Sequence, residues 1–460
     1  MQSSFSSEPE TFWVLSIVVL SSFLTPFTGS SLNVALPTIA RELGMDAVTM
    51  SWVATSFVLS ASVFLVPFGR LADLHGRKRV FLWGAAIFTL SCLLLSITSS
   101  SRELIIFRVL QGLGSSMIFG TGIAILTSVV PPAERGKALG KTVASVYLGL
   151  TLGPFLGGII TEYLGWRILF LLNVPMGMLT MILVILKLKG EWAEARGESF
   201  DVVGTALYSV GLVLVVIGFS RIAEQDGPWL CGAGALGLAL FVAWEAKTES
   251  PVLHVRLFFR NRVFSLSNLA AFINYSATFA VSFLISIHVQ YALAMSPREA
   301  GMILITQPVI MTIFTPYAGK LSDRIEPGYV ASAGMALTTT GLVLFTFLTG
   351  ETGLPFIMAG LTCMGLGFAF FSSPNVNAIM GSVDRRYYGV ASGMVGTTRL
   401  LGQMFSMALS TVIFSAILGR QQINVDTFHL FLLSEQRAFA IFAVLSLIGT
   451  VASLARGTSR

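Results

Sequence analysis

The sequence predicts an all-α, polytopic membrane protein of about 14 transmembrane helices, built as two six-helix bundles plus two inserted helices. Three observations predict it: a chain nearly empty of charge, apolar runs of spanning length between the few charges, and a long internal repeat. Of 460 residues only 11% are charged and 54% are hydrophobic, with a mean hydropathy of +0.80. A soluble chain carries about 25% charged residues to face water. Here lipid is expected to cover most of the surface.

A spanning helix needs about 20 mostly apolar residues. Uncharged runs occupy 11–40, 47–69, 80–101, 109–133, 142–161, 168–186, 202–220 and 227–244, then 263–297, 300–319, 327–350, 352–383, 400–419 and 438–455. The first run follows MQSSFSSEPE, which has no basic n-region, and is too long for a signal h-region, so it reads as a retained first helix. Run 263–297 is counted once, as a helix plus a loop. Bounded this way, the runs leave no Asp or Glu in the middle of any helix; Asp73, Glu134, Glu162 and Asp201 fall at helix ends or in loops.

Lysine and arginine set the orientation. If the N-terminus is cytoplasmic, the loops after even-numbered helices and the C-terminal tail hold Arg70, Arg77, Lys78, Arg79, Arg135, Lys137, Lys141, Lys187, Lys189, Arg196, Lys247, Arg256, Arg260, Arg262, Lys320, Arg324, Arg385, Arg386, Arg456 and Arg460. These are 20 of the 29 basic residues, the positive-inside bias of a multi-pass protein with both termini cytoplasmic. The net charge of +6 therefore needs no nucleic-acid partner. Cys92, Cys231 and Cys363 lie in apolar runs with no ligand spacing, and read as small packing residues rather than a metal site.

The repeat divides the chain. Segment 112–140 (GLGSSMIFGTGIAILTSVVPPAERGKALG) aligns without a gap with 365–393 (GLGFAFFSSPNVNAIMGSVDRRYYGVASG), and GRLAD at 69–73 is echoed by GKLSD at 319–323. Two matches at nearly one offset indicate duplication. The expected division is 1–190 for the first bundle, 191–250 for inserted helices seven and eight, and 251–460 for the second bundle, with both bundles running in the same sense.

The motifs carry a resemblance. GRLADLHGRKRV (69–80) between helices two and three, RVLQG (108–112) on helix four and GLTLGPFLGG (149–158) on helix five resemble the loop, arginine and glycine-proline motifs of the major facilitator superfamily. NVALP (33–37), WRILFLLNVPMG (166–177) and the 14-helix count are similar to its drug:proton antiporter branch. The resemblance covers nearly the whole chain. It implies a transporter of small molecules in the bacterial cytoplasmic membrane, expected to be monomeric, without cofactor, with protons as a candidate coupling ion.

Physical readings stand beside the motifs. Gly69 and Gly76 permit a tight turn, and Asp73 among Arg70, Arg77, Lys78 and Arg79, echoed at Asp323, is placed to form a charge cluster that latches the halves in one state; the plainer reading is a solvated basic loop. Gly149, Gly153 and Gly157 share a helix face, with Gly158 beside it, so another backbone can approach closely. Pro154 permits a bend there. Arg108 lies about 8 Å along helix four, and either snorkels or turns inward. Arg399 lies roughly 20 Å into helix thirteen, where a charge should face the bundle interior. Gln111 and Gln403 follow these arginines by three and four residues, on the same face. The family pattern puts an acid five residues before Asn33 of NVALP; Thr28 stands there. That leaves His288 as a candidate proton carrier in helix nine, or else a structural hydrogen-bonder. Asn268, Asn274, Asn375, Asn377 and Gln307 either line a cavity or join helices.

The substrate and coupling candidates are thus Arg108, Gln111, Arg399, Gln403, Asn33 and His288. Three functions remain open: export of small amphipathic compounds by alternating access, carriage of anions or lipids using the two arginines, and a receptor or scaffold without transport. No HExxH, GxSxG or nucleotide-binding loop is present, so an enzyme is not expected and any transport should be gradient-driven.

Overall fold

A computed structural model describes residues 8–131, 134–222, 224–248, 251–253, 255, 257–258, 261–383, 388–424 and 426–457. Fourteen of its helices are long and apolar enough to cross a membrane: α1 (Glu10–Glu42), α2 (Ala47–His75), α3 (Arg77–Ser96), α4 (Ser101–Val129), α5 (Arg135–Tyr163), α6 (Arg167–Lys187), α7 (Val202–Ser220), α8 (Gly227–Glu245), α9 (Arg262–Tyr291), α10 (Pro297–Arg324), α11 (Pro327–Phe345), α12 (Leu354–Gly381), α13 (Val390–Ile417) and α14 (Phe428–Leu454). Local chemistry fixes their starts. Asp46, Ser100, Asp201 and Asn261 accept from backbone N–H groups of α2, α4, α7 and α9. Ser296 and Glu299 form a reciprocal capping box on α10, satisfying donors that the first turn leaves open.

The same pairings occur in each six-helix group. α1 packs on α5, α2 on α4 and α3 on α4; correspondingly α9 packs on α13, α10 on α12 and α11 on α12. α7 and α8 pack on each other, and α7 also touches α2 and α13. The Tyr208 hydroxyl donates to the Ser62 carbonyl at 2.9 Å, and Phe219 meets Phe405 edge-on.

As expected of run 263–297, α9 is one helix followed by a short loop; it ends at Tyr291 and is interrupted at residues 279–280. Other helices outrun their charge-free runs: α2 continues to His75, α5 begins at Arg135 and α13 at Val390. α14 begins at Phe428 rather than 438, because Arg437 is tolerated on an exposed face. The expectation that no acid lies inside a helix is therefore wrong: Glu435 sits two turns into α14 and is fully buried.

Arg456 corrects another expectation. It is not a solvated tail charge but is buried, donating to Ser267 Oγ, Asn375 Oδ1, Ser453 Oγ and the carbonyls of Gly328 and Ser453. Burial lowers this guanidinium to about 10, with Glu326 pulling it back up. Asn375 thereby joins helices rather than lining a cavity. Arg256, Arg260, Arg385, Arg386 and Arg460 lie outside the described residues.

Candidate functional site

The two six-helix groups meet along a seam. With 14 spans, α1 begins and α14 ends on the same side; at the opposite, far end the seam is tightly closed. There Ser286 Oγ and Gln290 Nε2 on α9 donate to the carbonyls of Asn33 and Val34 on α1, at 2.7 and 2.9 Å. Ala47 N–H donates to Gln421 O, and Gln422 Nε2 to Gly44 O. On the other flank, a Cβ added at Gly158 would come within 2.4 Å of Pro297 O, and one at Gly301 within 2.3 Å of Pro154 O. The glycine-proline segment thus forms a dry backbone-to-backbone contact between α5 and α10. Its other glycines face α1: a Cβ at Gly149, Gly153 or Gly157 would strike Phe23, Ser30 or Ser31.

Among the described residues, the side-chain hydrogen bonds joining the groups run from this far end to mid-depth. Ser51 and Thr55 meet Thr411, and Ser62 Oγ donates to Leu400 O at 3.1 Å. At mid-depth, Tyr147 of α5 approaches Ser372 of α12 at 3.4 Å. Tyr275 of α9 lies close to the same serine and within electrostatic reach of Tyr147 and Arg399. Gly402 allows this: a Cβ there would lie 2.7 Å from Phe272 O and from Tyr275 Cβ, so α13 crosses α9 closely and brings Arg399 beside Tyr275. The result is a patch of two phenols, a hydroxyl and a guanidinium, contributed by both groups, all half-buried. Gln403 is half-buried on the same helix; among the described residues it makes no hydrogen bond to Arg399.

Other candidates lie elsewhere. Arg108 does not snorkel: it is 2% exposed, donates to Val53 O and to Gln111 Oε1, and stacks 4.3 Å from the Phe57 ring centroid. Gln111 passes a hydrogen bond on to Cys92 Sγ. This unit is enclosed in the first bundle, away from the seam patch. Thr28 is also buried; it donates to Leu24 O and Asn173 Oδ1, holding α1 to α6. Trp166 and Arg167 both bind Glu42, which anchors α6 to the end of α1. Asn33 enters the seam through its carbonyl.

The loop motif is built into the first bundle. Asp73 accepts from Arg77 Nε at 2.8 Å, and the Arg77 guanidinium grips Glu194 through both terminal nitrogens. Arg70 pairs with Glu198 at 2.7 Å. Gly76, at φ +119°, turns the chain between α2 and α3, and a Cβ there would overlap Glu191, a conformation for which glycine alone has no steric penalty. Glu191, Glu194 and Glu198 all come from the 191–198 linker. Asp323 sits exposed at the end of α10.

His288 is not a lone histidine. Its Nδ1 lies 2.7 Å from Glu435 Oε2, and both side chains are 0% exposed. Sequence reading missed Glu435, Tyr147, Tyr275 and Ser372. The acid was legible as the charge one turn before the run that starts at 438; the others carried no sequence signal.

The Major Facilitator Superfamily profile matches residues 18–269 and again 267–459. The chain is 30% identical over 443 residues to the riboflavin transporter RibZ of Clostridioides difficile (strain 630), covering 95% of this chain and 96% of that one. It is 29% identical over 398 residues to the multidrug resistance protein Stp of Mycobacterium tuberculosis (strain CDC 1551 / Oshkosh), covering 84% and 73%. Its fold matches the crystal structure of a bacterial homologue of the human lysosomal transporter Spinster, with TM-score 0.69 at 15% identity over 98% of both chains. With 14 apolar helices, motifs of the drug-efflux type and a family match along nearly its whole length, this multi-pass membrane protein belongs to the major facilitator superfamily.

Proposed function

We propose that the protein is a secondary active transporter that exports small amphipathic, aromatic compounds from the cytoplasm by alternating access. The observation that carries this reading is the seam: two helix groups closed at the far end and joined at mid-depth by the Tyr147–Ser372–Tyr275–Arg399 patch. Substrate would stack on the phenols and hydrogen-bond Ser372 and Arg399, a mostly apolar site with a few convergent polar groups. Burial supports the sense of opening. The part of α10 nearest the termini, Thr306–Arg324, has only Pro308, Met311, Ala318 and Ser322 buried. The positive-inside bias supports a cytoplasmic side for the ends of α1 and α14 remote from the far-end contacts, and for the opening of the seam there.

The division into 1–190, 191–250 and 251–460 is part of the same proposal, the two bundles rocking about the patch while helices seven and eight stay peripheral. The names of RibZ and Stp suggest a planar aromatic or a broad drug-like cargo. Arg399 supports a second reading, carriage of anionic substrates. Among the described residues it has no ion-pair partner, and a guanidinium facing a cavity invites a carboxylate or phosphate. The test is transport into proteoliposomes with riboflavin, ethidium and fluorescein as neutral, cationic and anionic probes. Accumulation of riboflavin or ethidium under an imposed gradient supports export of amphipathic compounds. Accumulation of fluorescein alone selects the anion reading, and failure to move any of the three in an oriented, folded preparation contradicts transport.

A further inference from the structure

The His288–Glu435 pair is placed where a merely structural pair has little reason to be. Leu284 lies one turn from His288, and Phe431 and Phe439 one turn from Glu435, all three fully buried in the apolar cluster at this level of the molecule. The pair's remaining polar atoms, His288 Nε2 and Glu435 Oε1, have no partner. Other charges facing this region from the packed helices are engaged or turned away. Arg41 of α1 stacks over Tyr291, and Glu42 is bound by Arg167. On α10, Arg298 binds Tyr163 and Glu299 caps its own helix. His429 and Arg437 of α14 are exposed, and Arg262 at the start of α9 binds Ala455 O. α11 and α12 carry no Asp, Glu, Lys, Arg or His, and α13 carries only Arg399, which is at the Tyr275 patch.

Among the described residues no further counter-charge reaches the pair, so burial disfavours any net charge on it. Taking up a proton from the neutral state gives imidazolium beside carboxylic acid; giving one up leaves a bare carboxylate. Either step changes the net charge in a dry site, so it requires water to reach the two unpartnered atoms. Water can reach them only if α9 or α14 moves.

The helical stretch Val281–Tyr291 touches both the far-end gate and the buried pair. It follows the break at 279–280. Ser286 and Gln290, one turn apart, hold the far-end gate on the α1 carbonyls of Asn33 and Val34. His288 lies midway between them in sequence, about 200° around the helix, and so faces the opposite way, toward α14. One 11-residue rod therefore carries the gate bonds on one side and, on the other, His288, which meets Glu435 of α14.

We propose that His288 and Glu435 form a proton-binding site whose occupancy is linked through Val281–Tyr291 to the α1–α9 gate; this rests on the transporter reading above. The proton enters from bulk water when the gate releases, and returns to bulk water on the other side after the gate has closed. No further reactant is needed. Because linkage is reciprocal, gate closure changes the proton affinity of the pair by the same factor that protonation changes closure.

The experiment uses proteoliposomes loaded with a pH-sensitive dye, with riboflavin and ethidium as probes, in two modes. One mode is gradient-free exchange; the other is accumulation driven by an imposed pH gradient, with proton flux recorded. In Glu435→Gln the ratio of driven to exchange transport should fall roughly tenfold or more, with loss of substrate-linked proton flux, and Glu435→Asp should restore part of it. His288→Gln and Ser286→Ala should each shift the pH profile of driven transport, which a packing role would not do. The proposal is overturned if wild type exchanges a probe that an imposed pH gradient does not drive, if driven accumulation proceeds without proton flux, or if Glu435→Gln keeps the wild-type ratio. It is equally overturned if Gln and Asp variants lose exchange and driven transport in the same proportion. If wild type exchanges neither probe, the reading as an exporter of amphipathic compounds itself fails, and the two failures are thereby told apart.

Discussion

Arg108, Arg399 and Arg456 share a side chain but not a task. Arg108 and Arg456 are each 2% exposed and satisfied by carbonyls, hydroxyls and amides of their own bundle, whereas Arg399 lies at the seam between bundles. Their predicted variants differ accordingly. Arg456→Met strands Asn375 Oδ1 and Gly328 O, each costing about 1–3 kcal/mol when left unpaired. Thermal denaturation should show a lowered Tm, with transport per folded molecule unchanged. Arg399→Ala removes a charged donor worth about 1.5–3 kcal/mol, roughly ten- to a hundredfold in apparent affinity. Transport should fall with little change in Tm, and Arg399→Lys should recover only part, since a point charge does not reproduce the planar fork. A seam role for Arg399 is contradicted if its Ala variant loses stability in step with transport. Sequence placed Arg399 and Arg456 on charge grounds alone. It could not see that five groups from α9, α11, α12 and α14 converge on Arg456, because that convergence is tertiary.

At the scale of elements, the charge-free runs located all 14 helices, since insertion in lipid forces both apolarity and length on each of them. They failed where a helix carries a charge the protein itself satisfies or turns outward. α2 continues through Arg70 and Asp73 to His75, and α14 starts ten residues before its run, with Glu435 hidden inside. The glycines of α5 were legible as a packing face, but not that Gly149, Gly153 and Gly157 serve α1 while Gly158 serves α10. That division makes a prediction. Gly158→Val or Gly301→Val drives a branched side chain against the facing carbonyl, which even a lone Cβ would approach to 2.4 or 2.3 Å, an overlap that prevents far-end closure. Thiol labelling at the seam from the far side should rise in these variants and transport should fall. Gly153→Ala, which strikes Ser30 on α1 within the same bundle, should instead lower stability. Equal labelling of all three would argue against the α5–α10 contact as a gate.

For the whole molecule, 14 crossings return the chain to its starting side, and the positive-inside bias predicts that side to be cytoplasmic. In a background lacking Cys92, Cys231 and Cys363, a cysteine at Gln225 between α7 and α8 should react with impermeant reagents only from outside; labelling only from inside would invert the topology. The doubled family match, 18–269 and 267–459, and the repeated helix pairings supply the symmetry that the proposed alternating access would use: two similar bodies closing at one end as they part at the other. The most direct measurement of that claim is a pair of distances by electron paramagnetic resonance in lipid. One spin-label pair joins Leu43 to Asn424 across the closed far end, and the other joins Lys137 to Lys320 across the end bearing the termini. Across pH and added riboflavin or ethidium, the account predicts two populations in which the far-end distance lengthens as the other shortens. A single fixed distance at both ends under every condition, or two distances that lengthen together, would contradict it.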